Sequence, residues 1–468
     1  MNPVTSELLR KTVHVSMGAF ALLLRFLTPG QAALCACIAL GFNLFVLHRL
    51  TRRALLRHDE KARGYSLGIA LYPAAVLALI VVFRNRLELA AAVWGLIAFG
   101  DGMAGVFGVT LRGPKLPWNP AKTWIGFVAF VLWGTAASSF LLRFTQQGAL
   151  DGPKAWIGPS FLAVGDHAPA FASTFLIAGC FAAAFLAAVA ESLRAGVDDN
   201  ILVPLVGGAA LYAATLVEPQ RLVALSPVLL RDAGIGAAIN AGLAIAAYLA
   251  RGVDRSGALC GWCLGVALYT FAGWRGFTLL FLFFVLGTAC TKIGYAKKSI
   301  LGIAQEKGGR RGAGNAIANT GAGVLFAFLA VATPHHTLFA LALTAAFATA
   351  AADTVSSEIG QAFGRTTYLV TTFKRVPAGT DGAVSIEGTL AGLVASTIPA
   401  AFAAATSVIS WPGAAVVVVA AFIGTTLESY LGATLERGNA IDNDVMNLAN
   451  TLAGGIAAVE IWAVLGLH

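Results

Sequence analysis

The sequence predicts an all-α fold: a polytopic, integral membrane helix bundle with about 15 transmembrane helices in two related halves. Hydrophobic residues make up 58% of the 468 residues and charged residues only 12%. A soluble protein of this length needs far more charge to cover its surface. The chain also has 52 glycines, as expected where membrane helices pack closely through small residues.

Apolar runs of about 17–22 residues, each long enough to cross a bilayer, account for most of the chain. The predicted spans in the first half lie roughly at 13–28, 32–48, 66–83, 87–108, 124–142, 171–190 and 201–217. Those in the second half lie roughly at 234–250, 256–274, 277–291, 314–333, 336–352, 389–409, 411–430 and 445–466. Pro219 and Pro227 stand between the two sets, so we place the boundary near 220 and expect domains at 1–220 and 221–468.

Basic residues predict the orientation of these spans. Six lysines and arginines lie between Arg49 and Arg63, and six more between Lys292 and Arg311. Because basic loops stay in the cytoplasm, these loops and every polar motif described below are expected on the cytoplasmic face of a bacterial inner membrane or an organellar equivalent. The net charge of +9 is explained by these loops, and no nucleic-acid partner is expected.

An acidic stretch joins the last two spans of the first half. Glu191-Ser192 is followed by Asp198-Asp199-Asn200, where a plain hydrophilic turn needs only one or two charges. Adjacent aspartates repel each other unless a cation or a basic group lies between them, and a divalent metal carrying a nucleotide phosphate is the obvious candidate. A similar arrangement, Glu428-Ser429 and then Asp442-Asn443-Asp444, lies near the C-terminus.

Basic and glycine-rich motifs precede that acidic stretch. Arg10-Lys11-x-x-His14 places three such side chains on one helical turn, where they would hold phosphate, although basic residues before a first helix also simply fix its orientation. His14 needs a partner once it enters the bilayer. Phe99-Gly100-Asp101-Gly102 ends an apolar run, and its Asp is either a ligand or a helix cap.

A lysine-containing segment then leads into the next helix. It runs from Lys115 through Asn119 to Lys122-Thr123-Trp124-Ile125-Gly126, and the amino end of a helix is itself a weak anion site. The chain contains neither a Walker A sequence nor a strand-linked G-x-G-x-x-G, so a nucleotide has to be held by lysines and metal in another way.

Taken in order, the motifs over about residues 8–217 resemble the phytol kinase and dolichol kinase family. The shared order is Arg-Lys-x-x-His, Gly-Asp-Gly, Lys-Leu-Pro-x-Asn with a following Lys, Glu-Ser, and Asp-Asp-Asn with a Pro. The resemblance implies a membrane enzyme that phosphorylates a long isoprenoid alcohol, typically with CTP. Relatives often have Lys-Ser-x-x-Gly where this chain has Lys122-Thr123, which keeps the hydroxyl.

The second half has its own polar blocks. Thr291-Lys292-Ile293-Gly294 leads to a glycine-rich segment ending in Arg310-Arg311-Gly312, whose guanidinium groups suit phosphate. A basic loop that only orients the protein is the alternative. Asp353 to Gly360 and Thr371 to Gly388 follow, and together these blocks, over about 230–468, resemble the family of phytyl-phosphate kinase. That resemblance implies addition of a second phosphate to an isoprenyl monophosphate.

These observations give a list of candidate site residues, with Mg²⁺ as the metal and CTP as the phosphate donor. The expected catalytic residues are His14, Asp101, Lys122, Asp199, Asp353 and Lys374. The expected metal ligands are Asp101, Glu191, Asp198, Asp199, Asp353, Glu358, Glu428, Asp442 and Asp444. The expected nucleotide and phosphate contacts are Arg10, Lys11, Lys115, Asn119, Lys122, Asn200, Lys292, Arg310, Arg311, Asn315, Lys374 and Asn443.

The expected function is a bifunctional kinase that converts an isoprenoid alcohol, such as phytol or geranylgeraniol, to its monophosphate and then to its diphosphate. A membrane cytidylyltransferase of the phosphatidate type is one alternative, since it too combines CTP, Mg²⁺ and a lipid. A transporter is another, because transporters also show repeats and intramembrane glycines. A transport path, however, needs polar groups near the midplane of the membrane, and here they collect at one end of the spans.

Overall fold

The computed structural model describes residues 3–47, 67–111, 113–116, 119–149, 173–192, 198–300, 311–434 and 443–467. The chain forms two compact units, Met1–Leu216 and Val217–His468. Both are helix bundles, so the predicted fold class is confirmed. Within the described ranges, eleven helices are long and apolar enough to cross a membrane, against about 15 predicted.

Unit 1 (Met1–Leu216) consists of helices in the predicted order. They are α1 Pro3–Met17, a 3-10 segment Gly18–Arg25, α2 Pro29–Phe42 with a π turn Asn43–Leu47, α3 Leu67–Val82, α4 Leu87–Gly95, a π segment Leu96–Asp101, α5 Gly102–Thr110, α6 Trp124–Ala149, α7 Ser173–Ser192 and α8 Asp199–Leu216. The predicted span 13–28 is therefore divided where α1 tightens into the 3-10 segment. Thr28 stops that segment and starts α2, because its hydroxyl accepts the Gln31 N–H (3.3 Å) and its own N–H donates to the Gln31 side chain (2.9 Å).

The central element of unit 1 is the continuous helical run Leu87–Thr110. Leu89 to Ala98 are almost completely buried, and many are alanines that allow neighbouring helices to approach closely. Helix α6, the 3-10 segment and α8 pack around it. The run widens into the π segment as it reaches Asp101. A π turn of this kind redirects side chains, and it places Asp101 among its neighbours rather than along the regular helical face.

Unit 2 (Val217–His468) is also predominantly helical. Its helices are α9 Pro219–Leu249, α10 Arg255–Lys292, α11 Tyr295–Ile300, α12 Ala313–Ala332, α13 His336–Phe363, α14 Ile386–Ala405, α15 Trp411–Thr434 and α16 Asn443–Val464. The predicted spans 256–274 and 277–291 are the two limbs of α10. They meet at Gly273, whose φ of 61° only glycine adopts easily, so a sharp bend replaces the expected loop.

Helix α13 is the central helix of unit 2, and α12, α14, α15, α16 and α10 pack against it. A small sheet that was not predicted follows it. Strands β1 Thr367–Leu369, β2 Arg375–Val376 and β3 Ala383–Val384 are antiparallel in the order β2-β1-β3. Tyr368 pairs with Arg375 on one side and Val384 on the other. The third strand contacts the helix Trp411–Thr434, where a Cβ on Gly382 would lie 2.5 Å from Ala433.

The two units repeat one helix contact almost atom for atom. In unit 1, a Cβ added to Gly126 would lie 3.0 Å from the Ala104 carbonyl oxygen, 3.3 Å from the Thr123 hydroxyl and 3.7 Å from the Gly108 Cα. In unit 2, the matching atoms around Gly388 belong to residues 356, 385 and 360, at 2.5, 3.0 and 3.1 Å. Both glycine-bearing helices start at a hydroxyl that accepts the glycine N–H at 3.1 Å. Asp101 and Asp353 each precede the contacted carbonyl by three residues, so they occupy matching positions.

Candidate active site

Three carboxylates from three different helical elements meet in unit 1. Asp101 ends the π segment, Glu191 is the penultimate residue of α7, and Asp199 is the first residue of α8. One oxygen of each lies within 4.8 Å of the others, and the first two acids are buried. Among the described residues, this is the group of acids, histidines or cysteines that comes close enough to share a metal ion. Hard oxygen donors at this spacing fit Mg²⁺.

Two lysines neutralise part of this charge. The Lys11 ammonium donates to both oxygens of Asp101, at 3.0 and 2.9 Å. The Lys122 ammonium donates to Glu191 and lies 3.5 Å from an Asp199 oxygen. Burial by itself would lower the pKa of Lys122, but the carboxylates of Glu191 and then Asp199 outweigh it and raise that pKa above its ordinary value. Lys122 is therefore charged throughout the physiological range.

The acid cluster keeps an excess of negative charge. Three carboxylates face two ammonium groups, and His14 adds a positive charge only when it is protonated. Its Nε2 atom lies 3.5 Å from an Asp101 oxygen and 2.9 Å from the Ile97 carbonyl oxygen. The two ammonium groups offset part of the repulsion among the three carboxylates, and the remaining negative charge favours a bound divalent ion.

A short loop holds Lys122 in place. Lys115 pairs with Thr123 in an isolated antiparallel bridge, which closes the loop at its base. The Asn119 side chain donates to the Ser192 carbonyl oxygen (3.0 Å) and accepts the Ala121 N–H (3.1 Å). Asn119 thereby ties the loop to the end of α7, next to Glu191. It was expected to contact a nucleotide, and in this structure it fastens the lysine loop.

Two cavities meet at the acid cluster. The larger, of about 790 Å³, is lined mainly by apolar side chains from α1, the 3-10 segment, α2 and α3. The other, of about 620 Å³, is lined by Gly105, Gly108, Gly126, Lys115 and Lys122, together with apolar side chains and the acids. Both include Lys11, Asp101 and Asp199 in their walls. A lipid chain in one cavity and a polar ligand in the other could thus reach the same three side chains.

Two residues of the apolar cavity were not predicted. Tyr72 lies in the cavity wall, and its ring packs edge-on against the His14 ring at 4.6 Å between centroids. Its hydroxyl accepts the Trp94 indole N–H at 2.8 Å. The sequence gives only one signal for this pair: each is an aromatic residue with a polar atom inside a predicted span, where such an atom needs a partner.

The remaining first-half predictions have mixed outcomes. Asp198 does not join the three acids, because its Oδ1 accepts the Asn200 backbone N–H (2.9 Å) and side-chain N–H (2.8 Å) at the start of α8. Asn200 and Arg10 line the apolar cavity rather than the glycine-lined one. Lys115 is exposed at the mouth of the glycine-lined cavity.

In unit 2, Asp353 lies within hydrogen-bonding reach of the Glu428 carboxyl. The Asn450 amide, which was not predicted, donates to Glu428. Asp444 approaches α12, where a Cβ on Gly314 would be 2.2 Å from one of its oxygens. Asp353 matches Asp101 through the shared glycine contact, whereas the described residues of this unit do not bring three acids together within 4.8 Å.

Glu358 requires a correction, because it does not face the other predicted metal ligands. It is buried against α10 and α11, where it binds the Lys298 ammonium and accepts the Thr291 hydroxyl at 3.0 Å. Lys298 also donates to the Thr291 carbonyl oxygen at 3.1 Å. Glu358 follows Asp353 by five residues, which places the two side chains about 140° apart around α13. Glu358 is a partner of Lys298 and not a ligand beside Asp353.

The other second-half predictions are scattered. Lys292, Lys374 and Asn443 are exposed, and within the described part of the chain no hydrogen bond or ion pair joins them to Asp353. Arg311 and Asn315 line a separate cavity of about 370 Å³. Arg310 and Asp442 lie outside the described residues. The sequence therefore predicted the polar residues of this unit better than it predicted which of them meet.

Comparison with known proteins identifies relatives. Residues 238–455 match the family described as integral membrane protein DUF92. Protein VTE6 of Arabidopsis thaliana is 41% identical over 45% of this chain and 66% of its own length. An uncharacterized membrane protein of Synechocystis is 40% identical over 44% of this chain and 81% of its own length. A probable phytol kinase 3 of Glycine max is 29% identical over 42% of this chain and 60% of its own length.

No solved structure matches this chain significantly. Each of these relatives aligns with less than half of the chain. The expected likeness to membrane phytol kinases is confirmed at the level of the relatives, while a fusion of two enzymes stays a prediction. The Synechocystis protein is covered over most of its length at high identity, and the chain belongs to the DUF92 family of integral membrane proteins.

Proposed function

We propose that this chain is a membrane kinase that phosphorylates an isoprenoid alcohol in unit 1 and adds a second phosphate to the monophosphate in unit 2, with CTP and Mg²⁺. One observation carries the proposal. An apolar cavity and a cavity with glycine and lysine walls share Asp101, Asp199 and Lys11. A relative named as a probable phytol kinase supports it. Residues 1–220 and 221–468 are the two proposed catalytic domains.

The apolar cavity is the proposed site for the alcohol. Its volume of about 790 Å³ falls in the usual range for small-molecule sites, and burial of a hydrocarbon chain there contributes about 25 cal/mol per Å². Tyr72 and His14 lie in the wall of this cavity on the side of Asp101. We assign them the task of holding the hydroxyl end of the alcohol.

The glycine-lined cavity is the proposed site for the nucleotide phosphates. A Cβ on Gly105 would lie 2.5 Å from the Lys11 side chain, and one on Gly108 would lie 3.2 Å from the Thr123 hydroxyl. Without side chains at these positions, phosphate oxygens can approach Lys11, Lys115 and Lys122. Asp101, Glu191 and Asp199 are the residues that would hold Mg²⁺, whose charge supports phosphoryl transfer when it is bound.

The reaction then follows from which residue lines which cavity. Asp199 reaches both cavities, and we assign it as the acceptor of the alcohol proton. The alcohol oxygen bonds to the γ-phosphorus, the bond from that phosphorus to the bridging oxygen breaks, and CDP leaves. Lys11 and Lys122 balance the charge on the transferred group. In unit 2, we assign the second transfer to Asp353, which matches Asp101 in the shared glycine contact, and to its neighbour Glu428.

The test uses purified protein, geranylgeraniol and CTP labelled at either the α- or the γ-phosphate. Label from the γ-phosphate should reach the lipid, whereas label from the α-phosphate there would indicate a cytidylyltransferase. Asp199→Ala should stop monophosphate formation, and Asp353→Ala should let monophosphate accumulate. Asp232→Ala, which removes the partner of the exposed Arg231, is the matched control. Normal diphosphate formation by both site variants would refute the assignment.

A further inference from the structure

The apolar cavity of unit 1 has two kinds of wall. Its back wall is buried, and Leu24, Ala36, Val76 and Ile80 in it are almost completely shielded. Its front consists of apolar side chains that line the cavity and are also exposed at the surface of the described chain. The cavity therefore communicates with its surroundings along one side, and for a membrane-spanning unit those surroundings are hydrocarbon.

The 3-10 segment Gly18–Arg25 supplies one edge of this opening. Residues three apart lie directly above one another in a 3-10 helix, so its side chains form straight rows. Ala21 and Leu24 form a buried row, whereas Phe20 and Leu23 form a row that is 52% and 45% exposed. In an α-helix, residues three apart are about 60° out of alignment, so the 3-10 geometry is what keeps this edge straight.

Helix α2 supplies the other edge. Cys35, Ile38 and Phe42 line the cavity at spacings of three and four residues, so they share one helical face, and all three are exposed. Helix α2 packs on α3, whereas the 3-10 segment packs on α4 and α6. Among the described elements, the two edges are thus held by different neighbours, with the cavity between them.

The opening extends from the polar end of the cavity toward the middle of the bilayer. On α2 the lining runs from Asn43 to Ala32, about 16 Å of helix, or roughly half of a hydrocarbon core of about 30 Å. The chain reverses at Thr28, so the Asn43 end lies alongside α1, which carries Lys11 and His14. Fully extended farnesol is about as long as this wall, and undecaprenol is several times longer.

The chemistry of the two edges selects the occupant. Phe20 and Leu23 on one side and Ile38 and Phe42 on the other offer no charge and no hydrogen bond to a polar solute entering between them. A hydrocarbon chain crosses such an edge without desolvation, because both the lipid and the cavity are apolar. Continuity of the cavity with Asp101 at its polar end selects a chain that ends in a hydroxyl.

We propose that this cavity is a slot open to the side, which admits the isoprenoid alcohol directly from the bilayer and lets the end of a longer chain extend back into the lipid. The hydroxyl then lies at the acid cluster while the remaining isoprene units stay in the membrane. The inference rests on the function proposed for unit 1. It adds the permitted substrate class, which is isoprenoid alcohols without an upper limit of chain length.

Binding is measured on the purified full chain in lipid nanodiscs, without nucleotide. The probes are farnesol and undecaprenol analogues with a diazirine in the second isoprene unit, so that only the tails differ. Cys35→Trp and Leu23→Trp, one on each edge, should raise the half-saturating concentration of undecaprenol at least about tenfold and that of farnesol by less. Cys37→Trp and Phe26→Trp are the matched controls, since both residues are exposed outside the cavity lining, and they should change neither.

A closed pocket discriminates about 10- to 200-fold for a single methylene, so undecaprenol binding more than about 100-fold weaker than farnesol binding would overturn the slot. Equal effects of the edge and control variants would overturn it as well. Labelling by a photoreactive phospholipid that falls in parallel in the edge variants would assign the slot to bulk lipid instead.

Phosphorylation of each alcohol by labelled CTP is measured separately. Undecaprenol binding that depends on the two edges, without phosphorylation of either alcohol, would refute only the kinase activity. Phosphorylation of farnesol without binding of undecaprenol would refute only the slot.

Discussion

Replacement of Lys122 by methionine is the sharpest test of the acid cluster. Lys122 is bonded to Glu191 and lies 3.5 Å from Asp199, so Lys122→Met leaves three carboxylates with Lys11 as their one lysine partner. The Lys122 side chain is 33% exposed. Breaking an exposed ion pair costs about 0–1 kcal/mol and breaking a buried one costs about 3–5 kcal/mol, so an intermediate cost applies here. We expect a loss of about 2 kcal/mol in the free energy of unfolding and a kcat reduced roughly 100- to 1,000-fold.

The direction of the change in Mg²⁺ affinity distinguishes the loss of a positive charge beside the acids from a general destabilisation of the fold. Removal of a positive charge next to three carboxylates should make Mg²⁺ bind more tightly in the absence of nucleotide. At an effective dielectric constant of about 20, unit charges 4 Å apart interact by about 4 kcal/mol. Because Lys122 is partly exposed to solvent, its effect is smaller than this. We expect Mg²⁺ binding to become more favourable by at least about 1.4 kcal/mol, so that half-maximal binding needs a tenfold lower Mg²⁺ concentration.

The assay is the Mg²⁺ concentration that gives half of the maximal increase in Tm, measured for purified protein without nucleotide. Lys115→Met is the matched control, because Lys115 lies in the same loop, is exposed, and lines the same cavity. It should leave the Mg²⁺ dependence unchanged. An unchanged or weaker Mg²⁺ response in Lys122→Met would show that the three acids do not form a cation site.

Three further substitutions test other contacts. Tyr72→Phe leaves a buried indole N–H without its acceptor, so we expect the free energy of unfolding to fall by about 1–3 kcal/mol and the KM for the alcohol to rise several-fold, with the KM for CTP unchanged. Lys298→Met leaves Glu358 buried and unpaired, and should cost about 3–5 kcal/mol in the free energy of unfolding, much of which Glu358→Leu should restore in the double variant. Gly105→Val narrows the glycine-lined cavity and should raise the KM for CTP more than tenfold, with the KM for the alcohol unchanged.

Controls are available for each of these substitutions. Tyr212→Phe changes a tyrosine of unit 1 outside the apolar cavity and should leave the alcohol KM unchanged. Gly234→Val adds side-chain atoms at an exposed position of α9 where nothing lies within 4 Å of the added Cβ, so it should alter neither KM. A Lys298→Met protein that is as stable as its parent would show that the buried ion pair is not formed. A raised KM for CTP in Tyr72→Phe would contradict the separation of the two cavities.

The sequence predicts the helices well, because length and hydropathy alone decide whether a segment can span a membrane. Nearly every predicted span is a helix, and the differences arise where backbone geometry changes locally. Gly273 bends α10 through a positive φ, and residues 18–25 tighten into a 3-10 segment. The small sheet was missed, since strands of two or three residues leave no periodicity to read.

The sequence predicts some of the residues that meet in the candidate site and includes others that lie elsewhere. Asp101, Glu191 and Asp199 were predicted because charges at the ends of spans need partners, and the structure brings them together, while metal binding stays a prediction. Asp198 was included for its charge, although its position just before α8 suits a helix cap equally well. Glu358 was misassigned even though a spacing of five residues already indicates a different helical face. Lys298 could not be identified, because a basic residue near a span normally indicates only orientation.

The contact shared by Gly126 and Gly388 shows what has been retained and what has diverged between the two units. In both, a bare Cα presses on the neighbouring backbone, and a methyl group at either position would force the helices apart. Three residues ahead of each glycine stands a hydroxyl, and the residue before that hydroxyl is Lys122 in one unit and Val384 in the other. Unit 2 thus has the same close helix contact without the lysine that precedes the hydroxyl in unit 1, and a Val384→Lys chain would test whether an ammonium at this position can pair with the acids of unit 2.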